Sequence, residues 1–181
     1  HLKTFLQGPY NTVTDNMNVD LTTDGPIPLA QPFNTAPWNY SGTESLTSLP
    51  ADMVDWVLVE LRETATSAPL TRQAALLFND GTVRSYVDSF FDVYFTGEFM
   101  PNSDLFVVIH HRNHMPVMTA AEVNIPNAGD RYDFSDLAGY PPFGGTTALV
   151  ELETDVNGII AGDINRDGDL IYSGPDNDRS L

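Results

Sequence analysis

The 181-residue chain contains no cysteine. That excludes disulfides, thiolate nucleophiles, cysteine-ligated zinc and iron–sulfur clusters together. It assigns no compartment, since a cysteine-free chain is equally at home inside or outside a cell. Basic residues are scarce as well. There are 8 Lys+Arg against 25 Asp+Glu, a formal net charge of −17, and the single lysine is Lys3. So acidic a surface repels phosphate backbones and anionic lipid, so nucleic acid and membrane surfaces are not expected partners. No apolar run approaches the ~18–20 residues of a spanning helix, so no membrane insertion is expected. The opening His1-Leu2-Lys3-Thr4-Phe5 is not a signal peptide, and an exported form is expected to have lost its signal already.

What is present favours strands. Hydrophobic residues at 41% are enough for a core, and the length suits one domain over 1–181. Val, Thr, Ile, Phe and Tyr recur between frequent Gly and Pro. Leu2 to Gln7 reads as a first strand, stopped by Gly8-Pro9. From Asp24 to Pro50, Pro26, Pro28, Pro32 and Pro37 prevent both helix and central strand, so the segment reads as an ordered surface loop pinned by Phe33, Trp38 and Tyr40. Pro50 to Arg62 opens like a helix but carries too many β-branched residues, and a short turn feeding a core strand is preferred. Ala74–Phe78 and Thr82–Tyr86 form a hairpin around Asn79-Asp80-Gly81, whose glycine supplies the positive φ of the turn. Leu105–Ile109, Val117–Ile125, Ala148–Glu153 and Val156–Ala161 complete about eight short strands, and such a series predicts an all-β sandwich with long Pro-rich loops.

The strongest local signal lies near the C-terminus. Gly162-Asp163-Ile164-Asn165-Arg166-Asp167-Gly168-Asp169 matches the first half of an EF-hand-type loop. Oxygen-bearing side chains at alternate positions converge once the glycine turns the backbone, and Ca2+ takes roughly 6–8 such hard oxygens. Asp163, Asn165, Asp167 and Asp169 are the expected ligands of a calcium loop over 162–178. The twelfth loop position, usually a bidentate acid, is Gly174, so Asp176 or Asp178 must close the shell. The competing reading is a solvated acidic turn. Against it stands the mutual repulsion of carboxylates crowded together without a cation. Whether Asp130, Asp133 and Asp136 form a second calcium site is left open.

Residues Ala161 to Gly168 resemble the calcium loops of dockerins. Lys3-Thr4-Phe5-Leu6-Gln7-Gly8-Pro9-Tyr10, Val54 to Arg62, His111-Arg112-Asn113-His114 and Gly174-Pro175-Asp176-Asn177-Asp178-Arg179 resemble a C-terminal module of large secreted surface proteins of Bacteroidota. The resemblance covers the chain nearly end to end. It implies a non-catalytic module of an adhesin-like, multidomain exoprotein, and a chain that ordinarily continues past the Asn-Asp-Arg segment.

The histidines offer a different chemistry. His110, His111 and His114 lie at one strand end, where imidazoles with an acid nearby would suit zinc or copper. No H-E-x-x-H spacing occurs and no acid stands within the cluster, so a hydrogen-bonded β-turn is the favoured reading. A β-sandwich beginning with His1 also resembles the copper-dependent lytic polysaccharide monooxygenases, with His110, His111 or His114 as second ligand. Phe33, Trp38 and Tyr40, with Tyr140-Pro141-Pro142-Phe143, offer a sugar-stacking platform, although aromatics in Pro-rich loops more often fold inward. No G-x-S-x-G elbow or phosphate-cradling glycine loop is present. The expected function is therefore a calcium-stabilised, extracellular structural or adhesive module of a surface protein or fibre. Its partners would be copies of itself or neighbouring domains of the same protein. A carbohydrate-binding module and a copper enzyme built on His1 are the alternatives.

Overall fold

The structure, a computed structural model, describes residues 1–25, 27–89, 93, 95, 103–125 and 131–162. It is all-β and sandwich-like. The strands are β1 (Leu2–Lys3), β2 (Phe5–Leu6), β3 (Tyr10–Asn11), β4 (Asn16–Met17), β5 (Met53–Arg62), β6 (Thr71–Phe78), β7 (Thr82–Arg84), β8 (Ser103–His111), β9 (His114–Met118), β10 (Val123–Ile125), β11 (Tyr132–Asp133), β12 (Val150–Glu153) and β13 (Val156–Ile159). One short helix, α1 (Asp20–Asp24), and a 3-10 turn at Gly145–Ala148 are the helical elements among the described residues. None of the described helices is long and apolar enough to cross a membrane.

The main sheet runs β10-β8-β5-β6-β7-β1-β11, with β9 also on β8, and a smaller sheet runs β12-β13-β2. The expected strands are present but subdivided. Leu2–Gln7 breaks at Thr4, whose N–H donates to the Gly81 carbonyl at 2.9 Å, so that β1 pairs with β7 and β2 pairs with β13. One stretch of chain thus belongs to both sheets. Val117–Ile125 breaks after β9, where Thr119 donates its N–H to the Val107 carbonyl and accepts the Val107 N–H on its hydroxyl. A side chain has replaced a ladder partner there. The ambiguous Pro50–Arg62 segment is strand β5. The hairpin at Asn79-Asp80-Gly81 is as expected, with Gly81 at φ +81°. A side chain at that glycine would meet both the Thr4 carbonyl and the Phe5 ring at 2.9 Å, so close approach of the first strand demands glycine as well.

β5 is the axis of the fold. It lies between β6 and β8, and every residue from Met53 to Leu61 is buried. Period-2 alternation sends Val57, Val59 and Leu61 into one core, with Phe5, Leu6, Leu77, Val107, Ile109, Phe134 and Ile159. Trp56 and Leu58 enter a second core with Ile27, Phe33, Tyr40, Met53 and Leu76. The first core is enclosed mainly by strands, the second by the Pro-rich segment. Among its described residues this segment has little regular structure, with one antiparallel bridge joining Ala30 to Ser45. Side chains therefore satisfy much of its backbone. Trp56 Nε1 donates to the Pro28 carbonyl at 2.9 Å, Arg72 to that of Trp38 at 2.6 Å, and Gln31 to that of Gly42 at 2.8 Å.

Candidate functional site

An acid inside an apolar strand with both faces covered needs a partner, because a bare buried carboxylate is costly. Asp55 and Glu60 are the two such acids of β5. Histidine partners for both come from the end of β8, and an arginine for Asp55 from the turn to β9.

Asp55 lies on the face of the first core, 1% exposed. Arg112 grips it with one nitrogen at 2.8 and 2.6 Å from its two oxygens, and His111 Nε2 lies 3.1 Å from Oδ2. The Trp56 N–H donates to Oδ1 at 2.7 Å. Burial pushes the Asp55 pKa upward. The hydrogen bond from His111 and the charges of His111 and Arg112 outweigh it, so the carboxyl titrates below its ordinary value. His111 then passes the chain on. Its Nδ1 lies 2.8 Å from His114 Nδ1, and His114 Nε2 lies 2.9 Å from the Gln7 carbonyl oxygen. Burial, then the charge of His111, lowers the His114 pKa to about 4.

The other face holds Glu60, with Arg62 bonded to its Oε1 and His110 Nε2 3.5 Å from Oε2. Burial raises its pKa, but His110 and Arg62 prevail and lower it. The histidines therefore divide. His110 serves Glu60, while His111 and His114 serve Asp55. His114 turns back toward His111, with the two Nδ1 atoms facing each other. The acid missing from the local sequence is Asp55, 56 residues away.

These groups form a linear relay, unlike a coordination shell. His111 spends Nε2 on Asp55 and Nδ1 on His114, so its ring directs no lone pair to a common centre. Among the described residues, no group of three or more His, Asp or Glu is placed to hold a metal ion. His1 directly precedes β1, and β5, β6 and β7 separate that strand from β8 in the sheet, so the sheet order does not bring His1 to the other histidines. Of the glycan candidates, Phe33 and Tyr40 are buried and Trp38 packs edge-on against Phe33, with ring centroids 5.0 Å apart. Tyr40 also donates its hydroxyl to buried Glu44. Phe33 and Tyr40 thus belong to the second core, and Trp38 lies half-buried against it. Asp133 is engaged by Arg131 at 2.8 Å and Lys3 at 3.8 Å, and Asp136 accepts the Ala138 and Gly139 N–H groups. Asp130 lies outside the described residues.

The proposed calcium ligands Asp163, Asn165, Asp167, Asp169, Asp176 and Asp178 also lie outside the described residues. The stem that leads to them does not. Ala161 bridges His114, the Met115 N–H donates to the Ile160 carbonyl at 2.9 Å, and the Gly162 N–H donates to the Asn113 carbonyl at 3.1 Å. The Gln7 side chain accepts the Ala161 N–H at 3.0 Å. The relay and the stem therefore share one turn, Arg112-Asn113-His114. Compared with protein-family models, with curated proteins and with solved structures, the chain matches none.

Proposed function

We propose that this chain is a non-catalytic, extracellular structural or adhesive module stabilised by Ca2+ bound in the loop over 162–178. The observation that carries the reading is the donor set of that segment. Asp163, Asn165, Asp167 and Asp169 alternate around Gly168, and Asp176 and Asp178 follow in the sequence as the closing candidates. All are hard oxygen donors, which fits calcium and disfavours softer metals. The hydrogen-bonded stem at 160–162 supports it, because ligands that start from a fixed backbone lose less entropy on binding. The net charge of −17 adds a long-range attraction for cations. The resemblance to the C-terminal modules of Bacteroidota surface proteins points the same way, and so does the internal use of the buried acids and histidines. The partners are neighbouring domains of the same protein or further copies of it, joined by strand addition at open sheet edges.

Calcium acts by linkage, since it binds the folded loop and not the unfolded chain. At about 100 times Kd it adds about 2.7 kcal/mol. For a domain of this size that is a rise of roughly 5–11 °C in Tm. Calorimetry in calcium and in chelator tests the reading, with Asp167→Ala expected to behave in calcium as the parent does in chelator. Identical melting curves in the two conditions would reject it.

A further inference from the structure

The hydrogen atoms of the relay can be counted. A carboxylate and a carbonyl oxygen only accept, so His111 Nε2 facing Asp55 and His114 Nε2 facing Gln7 each carry a hydrogen. Two Nδ1 atoms 2.8 Å apart need a third hydrogen between them, because two facing lone pairs at that distance repel. Two neutral imidazoles own one N–H each. Three N–H bonds on two rings therefore mean one excess proton. Moving it to Asp55 would relieve the count, but Arg112 and the Trp56 N–H both stabilise that carboxylate in its ionised form.

We propose that His111 and His114 share one excess proton between their Nδ1 atoms, and that this proton latches the β8–β9 turn to Gln7 and to the stem at 160–162. The position of the pair supports the latch. One ring reaches Asp55 in the middle of the main sheet, and the other reaches the residue that follows β2. The backbone between them holds Ala161 and Gly162. Among the described residues, the charged groups facing the pair are Asp55 from β5 and Arg112 from the turn. The polar groups are the Gln7 carbonyl and the Asn113 N–H, 3.3 Å from His111 Nδ1.

A second excess proton would set two Nδ1–H groups against each other, and the rings must then part. The unfolded or opened segment binds that proton near the ordinary value of 6.5, the closed pair only near about 4. Between those values opening takes up a proton, so it becomes easier by roughly tenfold for each unit the pH falls.

The test uses the full chain, 15N-labelled, with chelator present so that the outcome does not depend on the calcium reading. Ring 15N–1H spectra near pH 6 are expected to show three protonated nitrogens in the His111–His114 pair, with the remaining site averaged across both Nδ1 atoms. Two protonated and two bare nitrogens would overturn the proposal. Amide exchange of Met115 and Gly162, corrected for intrinsic pH dependence, is expected to lose protection by roughly tenfold per pH unit from about 6.5 to about 4, and at every pH to be less protected than Val57 in the central strand, which opens only on global unfolding. Protection of Met115 and Gly162 that is flat over this range, or as high as that of Val57, would overturn the latch. His114→Gln keeps a donor for the Gln7 carbonyl and removes Nδ1. In this variant the extra pH dependence should vanish, and its persistence would count against the shared proton. Should the variant not fold, the spectra and exchange of the parent protein still decide.

Discussion

The two faces of β5 solve the same problem with different means. On one face, regular strands enclose the core and a carboxylate, Asp55, is tied to an arginine, a histidine and a backbone amide. On the other, a Pro-rich segment encloses the core, and buried Glu60 is held by Arg62 and by the part-exposed His110. Irregular backbone can evidently cover a sheet when nearby side chains supply its hydrogen-bond partners. The difference is one of freedom. A segment held in part by side-chain bonds to its backbone can adjust more readily than a strand paired on both edges.

The comparison can be broken at several points. The largest effect is expected for Asp55→Ala, which removes the buried acceptor of His111 and Arg112 and should cost about 3–5 kcal/mol in urea unfolding. Glu60→Ala, whose histidine partner is more exposed than that of Asp55, should cost less, and the reverse order would refute the contrast between the faces. Acid comes next. His114, with its folded pKa lowered from 6.5 to about 4, is protonated more readily in the unfolded chain, so stability present above 6.5 is lost as pH falls toward 4. That window is worth roughly 3 kcal/mol. Below it Asp55 and Glu60, both lowered, add losses of the same sign. Urea midpoints at pH 7, 5.5 and 4 check this, and a flat profile down to 4 would contradict it. A finer comparison uses one residue type in one strand. Leu61 and Leu58 are both fully buried, on opposite faces. Leu→Ala costs about 2–5 kcal/mol depending on how far the site can collapse. Leu61→Ala should fall in the upper part of that range and Leu58→Ala in the lower, and equal costs would show that the Pro-rich cover is as rigid as the strands. The smallest effect is expected at the part-exposed Arg84–Asp80 pair, 2.7 Å apart, where Arg84→Gln should cost under about 1 kcal/mol in the same assay.

Much of the fold was legible in the residues themselves. β5 could be read because a strand covered on both faces must be apolar throughout, and the Asp80-Gly81 turn because few other sequences accept its backbone. The prolines of 26–37 announced a loop, and the tendency of its rings to fold inward was the stronger expectation for Phe33 and Tyr40. What escaped was short or distant. The two-residue strands β3 and β4 give no periodicity to detect, and the split at Thr119 depends on a hydroxyl replacing an amide in the ladder. At the candidate site, the histidine cluster was visible but its acid was not, since strand pairing and not spacing brings Asp55 to His111. The usable signal was an aspartate embedded in Val54-Asp55-Trp56-Val57, a charge with no solvent to turn to.

The parallel pairing of β2 with β13 sets Phe5 opposite Gly158 and Leu6 opposite Ile159. Phe5 and Leu6 therefore find these neighbours only after some 150 further residues have been made. Closure of the small sheet must be a late event, and contacts so remote along the chain slow folding. Until then the apolar side chains of Phe5 and Leu6 stay uncovered on a nascent polypeptide, an interval in which a chaperone or a premature neighbour has its best opportunity.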